Sequence, residues 1–266
     1  MAFDGEVTLT VHGLPVDNGN VRAEVFATKF RALLSALRLA DKLTNQKKSH
    51  DYLIVGLDIG SALATLRERA SIKQNVPASS VRYVNDVVES VYNGDRNIAR
   101  YPSNMIEALA PLVSDVGKKF SHGEIRFAND NVIRIDDYLA KQLEKAVRRS
   151  HGEVPLPEKY FEGIAFETLD GVVKELDARG ALVRGKLVLT AGGKEIDCVF
   201  RGADIPILRE SFNLRARVET IAHYDGESPL PVRLDVKRLT LVDDTNSLLR
   251  WKGALGKRKR GAGLDL

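Results

Sequence analysis

The sequence predicts an α+β protein: an N-terminal domain of mixed α/β layers with mostly antiparallel strands, followed by a small β-barrel. Three observations carry that expectation. Residues 6–149 interleave period-two apolar runs with 3.6-period stripes. Residues 150–158, SHGEVPLPE, break both patterns with glycine, two prolines and charges. Beyond them come five strand-like runs with one short helical run between the third and the fourth. The division is therefore a domain over 1–149, a linker over 150–158, a barrel over 159–249 and a basic flexible tail over 250–266.

In the first domain, EVTLTVH (6–12) alternates Val7, Leu9 and Val11 with Thr8, Thr10 and His12, as a half-buried strand does. LPVDNGN then turns the chain, with Asn18 or Asn20 as a cap for a helix over 21–44. Its stripe is Val25, Phe26, Phe30, Leu33, Leu34, Leu37 and Ala40, leaving Arg22, Lys29, Arg31, Arg38 and Lys42 largely off it. Residues 52–59 and 62–69 read as strands around Gly60-Ser61. A Ser79/Ser80 cap opens the next helix, which Asn93-Gly94 stops. A further helix starts at Ser103, and Pro111 bends or divides it because proline removes a donor and crowds the preceding turn. GEIRFA and VIRID flank the hairpin signal Asn129-Asp130-Asn131, and Asp136 caps a last helix over 137–149.

The second half reads as strands over 166–177, 184–190, 195–201, 214–223 and 232–242, with a helix over 203–211. Five strands with a helix between the third and fourth resemble an OB-like barrel. Gly192-Gly193 is a two-residue hairpin turn requiring positive φ. GSALATL and GKLVLTAGGKEIDCVF also resemble segments of bacterial two-domain proteins that join an N-terminal α/β segment to a C-terminal OB-like barrel. That resemblance implies architecture but no activity, and a toxin-neutralising or phage-defence accessory role fits it.

Composition narrows the function classes. The 44% hydrophobic and 29% charged content is that of an ordinary soluble chain, and no apolar run reaches the roughly 18 residues of a membrane span. One cysteine, Cys198, excludes an internal disulfide and favours a cytoplasmic compartment. The net charge of +4 divides into +3 for 1–150, −4 for 151–249 and +5 for 250–266, so the basic character belongs chiefly to the tail.

IVGLDIGSALATL (54–66) resembles the first phosphate-binding hairpin of the actin and sugar-kinase superfamily, which implies metal and water roles for Asp58 and phosphate contacts for Gly60 and Ser61. The residues favour a hairpin alone. No second D-x-G-x-G exists to close a triphosphate clamp, and Gly193 leads into the alternating strand KEIDCVF instead of a helix. The five histidines, His12, His50, His122, His151 and His223, show no i, i+3 or i, i+4 spacing, so no metal site is expected. Cys198 shares its parity with Ile196 and Phe200 and reads as core. No catalytic residue or cofactor is assigned.

On the barrel, Lys186, Val188, Thr190, Glu195, Asp197, Val199 and Arg201 are expected to face outward without an aromatic among them, which does not suit stacking on bases. Arg215, Arg217 and Glu219 with Arg233, Asp235 and Lys237 read as a solvated ladder of ion pairs. The tail offers Arg250, Trp251, Lys252, Lys257, Arg258, Lys259 and Arg260 among glycines, a composition that follows a phosphate backbone by counterion release or simply solubilises the end. The expectation is a non-enzymatic accessory or regulatory interaction protein with a protein partner, no membrane contact and weak tail-assisted nucleic-acid affinity. The alternatives are a nucleotide-binding enzyme using Asp58 to Ser61, or a structural oligomer subunit.

Overall fold

The computed structural model describes residues 5–58, 62–71, 77–128, 131–152, 159–201 and 205–242. Helices and antiparallel-rich sheets make the protein α+β. Two compact units are present. The first comprises Met1–Ala165, Ala178–Val183 and Ala222–Arg233, and the second comprises Phe166–Asp177, Arg184–Ile221 and Leu234–Leu266.

The first unit is built on a five-stranded sheet. Its strands are β1 (Glu6–His12), β2 (His50–Asp58), β3 (Ala62–Ala70), β4 (His122–Phe127) and β5 (Val132–Ile135), in the order β2-β3-β1-β4-β5. Central β1 pairs antiparallel with both neighbours, placing Leu9 opposite Ala64 on β3 and Ile125 on β4. The alternation in EVTLTVH thus puts Val7, Leu9 and Val11 on one fully buried face. The helices α1 (Ala23–Asn45), α2 (Ser80–Tyr92), α3 (Ser103–Glu107), α4 (Ala110–Val113) and α5 (Asp137–Ser150) supply the rest of that core, among them Leu33, Leu37, Val84, Met105 and Leu139.

Local chemistry sets the helix ends. Ser79 accepts from the Arg82 amide at the start of α2, and Asp136 accepts from the Leu139 amide at the start of α5. Pro111 falls in the first turn of α4, separate from α3. The start of α1 differs from expectation. Arg22 precedes it without a side-chain cap, while Asn18 is left-handed (φ 54°) and closes the short turn Pro15–Asp17. The turn uses the asparagine before the helix can.

Lys29 also departs from its expected place off the stripe, for it is buried. Its ammonium donates to the Pro111 carbonyl (2.8 Å), the Ser114 carbonyl and Ser114 Oγ (2.9 Å), and stands over the Phe120 ring. It therefore serves carbonyls left over at the end of α4. At the other end of α1, Asp41 accepts from the Ser49 amide (2.7 Å), the His50 amide (3.0 Å) and His50 Nδ1 (2.8 Å), tying the helix to the first residue of β2. Burial opposes the charge on Asp41, but these hydrogen bonds prevail and hold its carboxyl below the usual range.

The remaining strands are β6 (Glu162–Asp177), β7 (Val183–Leu189), β8 (Glu195–Phe200), β9 (Arg215–Asp225) and β10 (Arg233–Leu241), with α6 (Ile205–Glu210) between β8 and β9. Their ring order is β10-β8-β7-β6-β9. Gly192 and Gly193 between β7 and β8 both have positive φ, at 84° and 64°, but the turn is longer than the two residues expected: the Leu189 amide donates to the Lys194 carbonyl and the Gly193 amide to the Leu189 carbonyl. Val199 is buried along with Cys198 and Phe200, so the alternation that would turn it outward ends within β8. Arg233 and Asp235 are buried too, and do not join an exposed ladder.

Burial lowers the Lys29 pKa from 10.5 to about 8. Between those values the unfolded chain binds more protons than the folded one, so stability rises with pH across the window. Urea midpoints at pH 8 and pH 10 are expected to show this rise in the natural chain, and Lys29→Met is expected to remove the part due to Lys29.

Candidate functional site

The face of β1 turned away from the helices is polar, and register decides what meets there. Thr8 Oγ1 lies 2.9 Å from Thr65 Oγ1 on β3, and Arg67 pairs with Glu6. On the β4 side, His12 stands directly opposite His122. Glu124, two residues beyond His122, shares this face because strand side chains alternate with a period of two.

These three residues form the densest cluster of ligand-type side chains among the described residues. The imidazole centroids of His12 and His122 are 4.3 Å apart, with the rings 19° from parallel. One donor atom from each imidazole and one from the Glu124 carboxylate all lie within 4.8 Å of one another. His122 and Glu124 are 1% and 3% exposed, so the site is enclosed. His122 Nδ1 is 3.2 Å from Ser121 Oγ, which fixes the ring and leaves Nε2 as its far nitrogen.

The segment Ala178–Val183 closes over this face. The Ala181 amide donates to Glu124 Oε2 (2.8 Å) and the Leu182 amide to Glu124 Oε1 (3.2 Å). Gly180 makes that approach possible. Its φ is +105°, and a Cβ there would stand 2.5 Å from Glu124 Oε1 and 3.2 Å from His12 Nε2. Sequence spacing did not reveal the cluster, since 110 positions separate the two histidines and only the β1–β4 register unites them. The available signal was weak: a histidine at one end of each of two strand-like runs.

Next to this cluster lies an ion network. Asp136 Oδ2 accepts from Arg233 Nη1 (2.7 Å) and stands 3.6 Å from Arg134 Nε. The Arg233 guanidinium also covers the Tyr138 ring, 4.9 Å from its centroid. With Asp136 capping α5 as well, this network serves to anchor the helix. A groove of about 660 Å³ elsewhere in the unit is lined by Asp86, Glu89, Asp95, Arg96, Arg100 and Glu162. Arg100 is engaged there by Asp95 at 3.2 Å and by Ser90 Oγ at 2.8 Å.

The edge strand β2 has the opposite character. Ile54 is 53% and Leu57 70% exposed, and Leu53 and Val55 are exposed beside them. β2 pairs antiparallel with β3, with Asp58 opposite Leu63 and a register shift between Ile54 and Gly56. Asp58 ends the strand. Gly60 and Ser61 lie outside the described residues, as do Arg250, Trp251, Lys252, Lys257, Arg258, Lys259 and Arg260 of the tail. Cys198 is buried.

In the second unit several outward cations meet acids. Asp170 binds Arg217 (3.0 Å) and Arg215 (3.4 Å), Arg184 binds Asp197 (3.3 Å), and Lys186 lies between Glu175 and Glu195. The hydrogen bond from Arg217 holds the Asp170 carboxyl below its usual range.

No family model matches the chain, and no solved structure matches it. A probable cytosol aminopeptidase of Trichormus variabilis is 28% identical over 142 residues, covering 41% of this chain and 28% of that protein. The chain thus spans little more than a quarter of the curated relative's length.

Glu124→Ala removes the acceptor for two amides. Hydrogen exchange at Ala181 and Leu182 is expected to accelerate at least tenfold relative to β1 amides, measured residue by residue by NMR.

Proposed function

We propose that the protein acts by binding: an accessory or regulatory interaction protein of the cytoplasm that takes an extended segment of a protein partner on β2. The observation that supports this reading is the exposed apolar run Leu53-Ile54-Val55-Gly56-Leu57 on a strand at the sheet edge. An edge strand offers backbone donors and acceptors as a template for a further strand, and exposed apolar side chains add contact area on its faces. The bulge within β2 and the carboxylates of Asp51 and Asp58 on either side work against indiscriminate pairing. The exposed run favours a partner strand that is apolar at its centre.

The second half is read as an OB-like barrel. Numbering its strands from one to five, the ring order is 5-3-2-1-4 with a helix between the third and fourth, which supports that reading. Such barrels often bind single strands, but several cations here are engaged by acids, so weak nucleic-acid affinity is assigned to the basic tail. The activity named for the aminopeptidase forms no part of this proposal, because the chain spans 28% of that protein.

The test is a selection of random displayed peptides on the immobilised full chain, followed by Kd measurements on the enriched peptides. The expected result is enrichment of peptides with a central apolar run, and at least tenfold weaker binding to Ile54→Lys and Leu57→Lys. No enrichment, or binding that both variants retain, would overturn the proposal. So would concentration-dependent self-association abolished by the same substitutions, which would make a second copy the occupant.

A further inference from the structure

The geometry points to a transition-metal site at His12, His122 and Glu124, with Zn²⁺ the ion whose chemistry fits best. Two imidazoles and one carboxylate make a donor set suited to zinc, whereas magnesium and calcium favour oxygen-rich shells. The three donors come from facing positions of two paired strands, so the β1–β4 backbone pairing brings them together before any ion arrives.

The surroundings match what metal ligands require. Ligating groups are characteristically held by a further hydrogen bond that fixes their orientation. Ser121 Oγ stands beside His122 Nδ1, and the amides of Ala181 and Leu182 hold the Glu124 carboxylate. Each carboxylate oxygen has two lone pairs, so one amide bond apiece leaves acceptor capacity for a cation. Arg134, opposite Glu124 in the β4–β5 register, lies near Asp136.

The close approach of Gly180 is a second observation. Its backbone packs against two of the three donor groups, so that a Cβ there would lie 2.5 Å from Glu124 Oε1 and 3.2 Å from His12 Nε2. Around a tetrahedral zinc with bonds of about 2.0–2.2 Å, donor atoms are roughly 3.3–3.6 Å apart. The present spread, within 4.8 Å, therefore has to contract by about 1 Å, a distance that side-chain rotation covers. A water completes the fourth position. The enclosed setting makes the ion a staple: it joins β1 to β4 and, through Glu124, secures the segment Ala178–Val183.

The test titrates ZnCl₂ into the chelator-treated full chain by calorimetry and repeats the titration with Co²⁺, read by visible absorption. One equivalent is expected to bind. His12→Gln and His122→Gln are each expected to weaken binding at least tenfold and to change the cobalt spectrum, while His151→Gln, at an exposed histidine, leaves both unchanged. Should a histidine variant fail to fold, the natural chain carries the test: ZnCl₂ is expected to raise its melting temperature and MgCl₂ is not. Absence of stoichiometric binding would overturn the inference, as would binding unaffected by His12→Gln and His122→Gln.

Discussion

The register of β1 between β3 and β4 is the constraint on which the first unit depends. With Leu9 between Ala64 and Ile125, Val7 and Val11 also fall on the helix side, and one continuous apolar face meets the stripes of α1 to α5. A slip of one residue would turn that whole set to the polar side and carry Thr8, Thr10 and His12 into the core. The same register aligns Thr8 with Thr65 and His12 with His122. The hydrophobic face and the polar cluster are thus two consequences of one pairing.

Those consequences lead to different treatments of the sheet's surroundings. The polar face near β4 is enclosed, and enclosure demands that its carboxylate be satisfied. Two backbone amides from Ala178–Val183 do this for Glu124, with Gly180 permitting the close approach. At the other end of the sheet, β2 pairs with β3 along its length, and its start is tied further by the Asp41 bonds to Ser49 and His50 and by the Tyr52 hydroxyl. Its apolar middle stays exposed. A closed polar face and an open apolar edge are different kinds of surface, and they support the two separate proposals made for them.

Much of the local structure was legible because local chemistry determines it. The alternation of EVTLTVH, the Ser79 and Asp136 caps, the break at Pro111 and the positive φ of Gly192 and Gly193 each rest on a few neighbouring residues. What escaped the sequence depends on contacts between distant segments. Lys29 looks like a surface lysine until α4 presents its carbonyls, and Asn18 looks like a helix cap until the preceding turn engages it. Val199, Arg233 and Asp235 follow an outward parity on their strands but are covered on both sides. The histidine cluster is the extreme case: its donors are brought together by strand pairing, and helical spacing rules do not apply to it. The two units also interleave along the chain, since the segments Ala178–Val183 and Ala222–Arg233 return to the first unit.

The most direct measurement of the central claim, that a fixed sheet presents β2 as its binding edge, is amide hydrogen exchange on the full chain with and without a selected peptide. The account predicts that β1 amides exchange only through global unfolding in both states, whereas β2 amides across residues 53–57 exchange quickly alone and slow at least tenfold with peptide. Equal exchange in β2 with and without bound peptide, or slowing confined to the second unit, would contradict it.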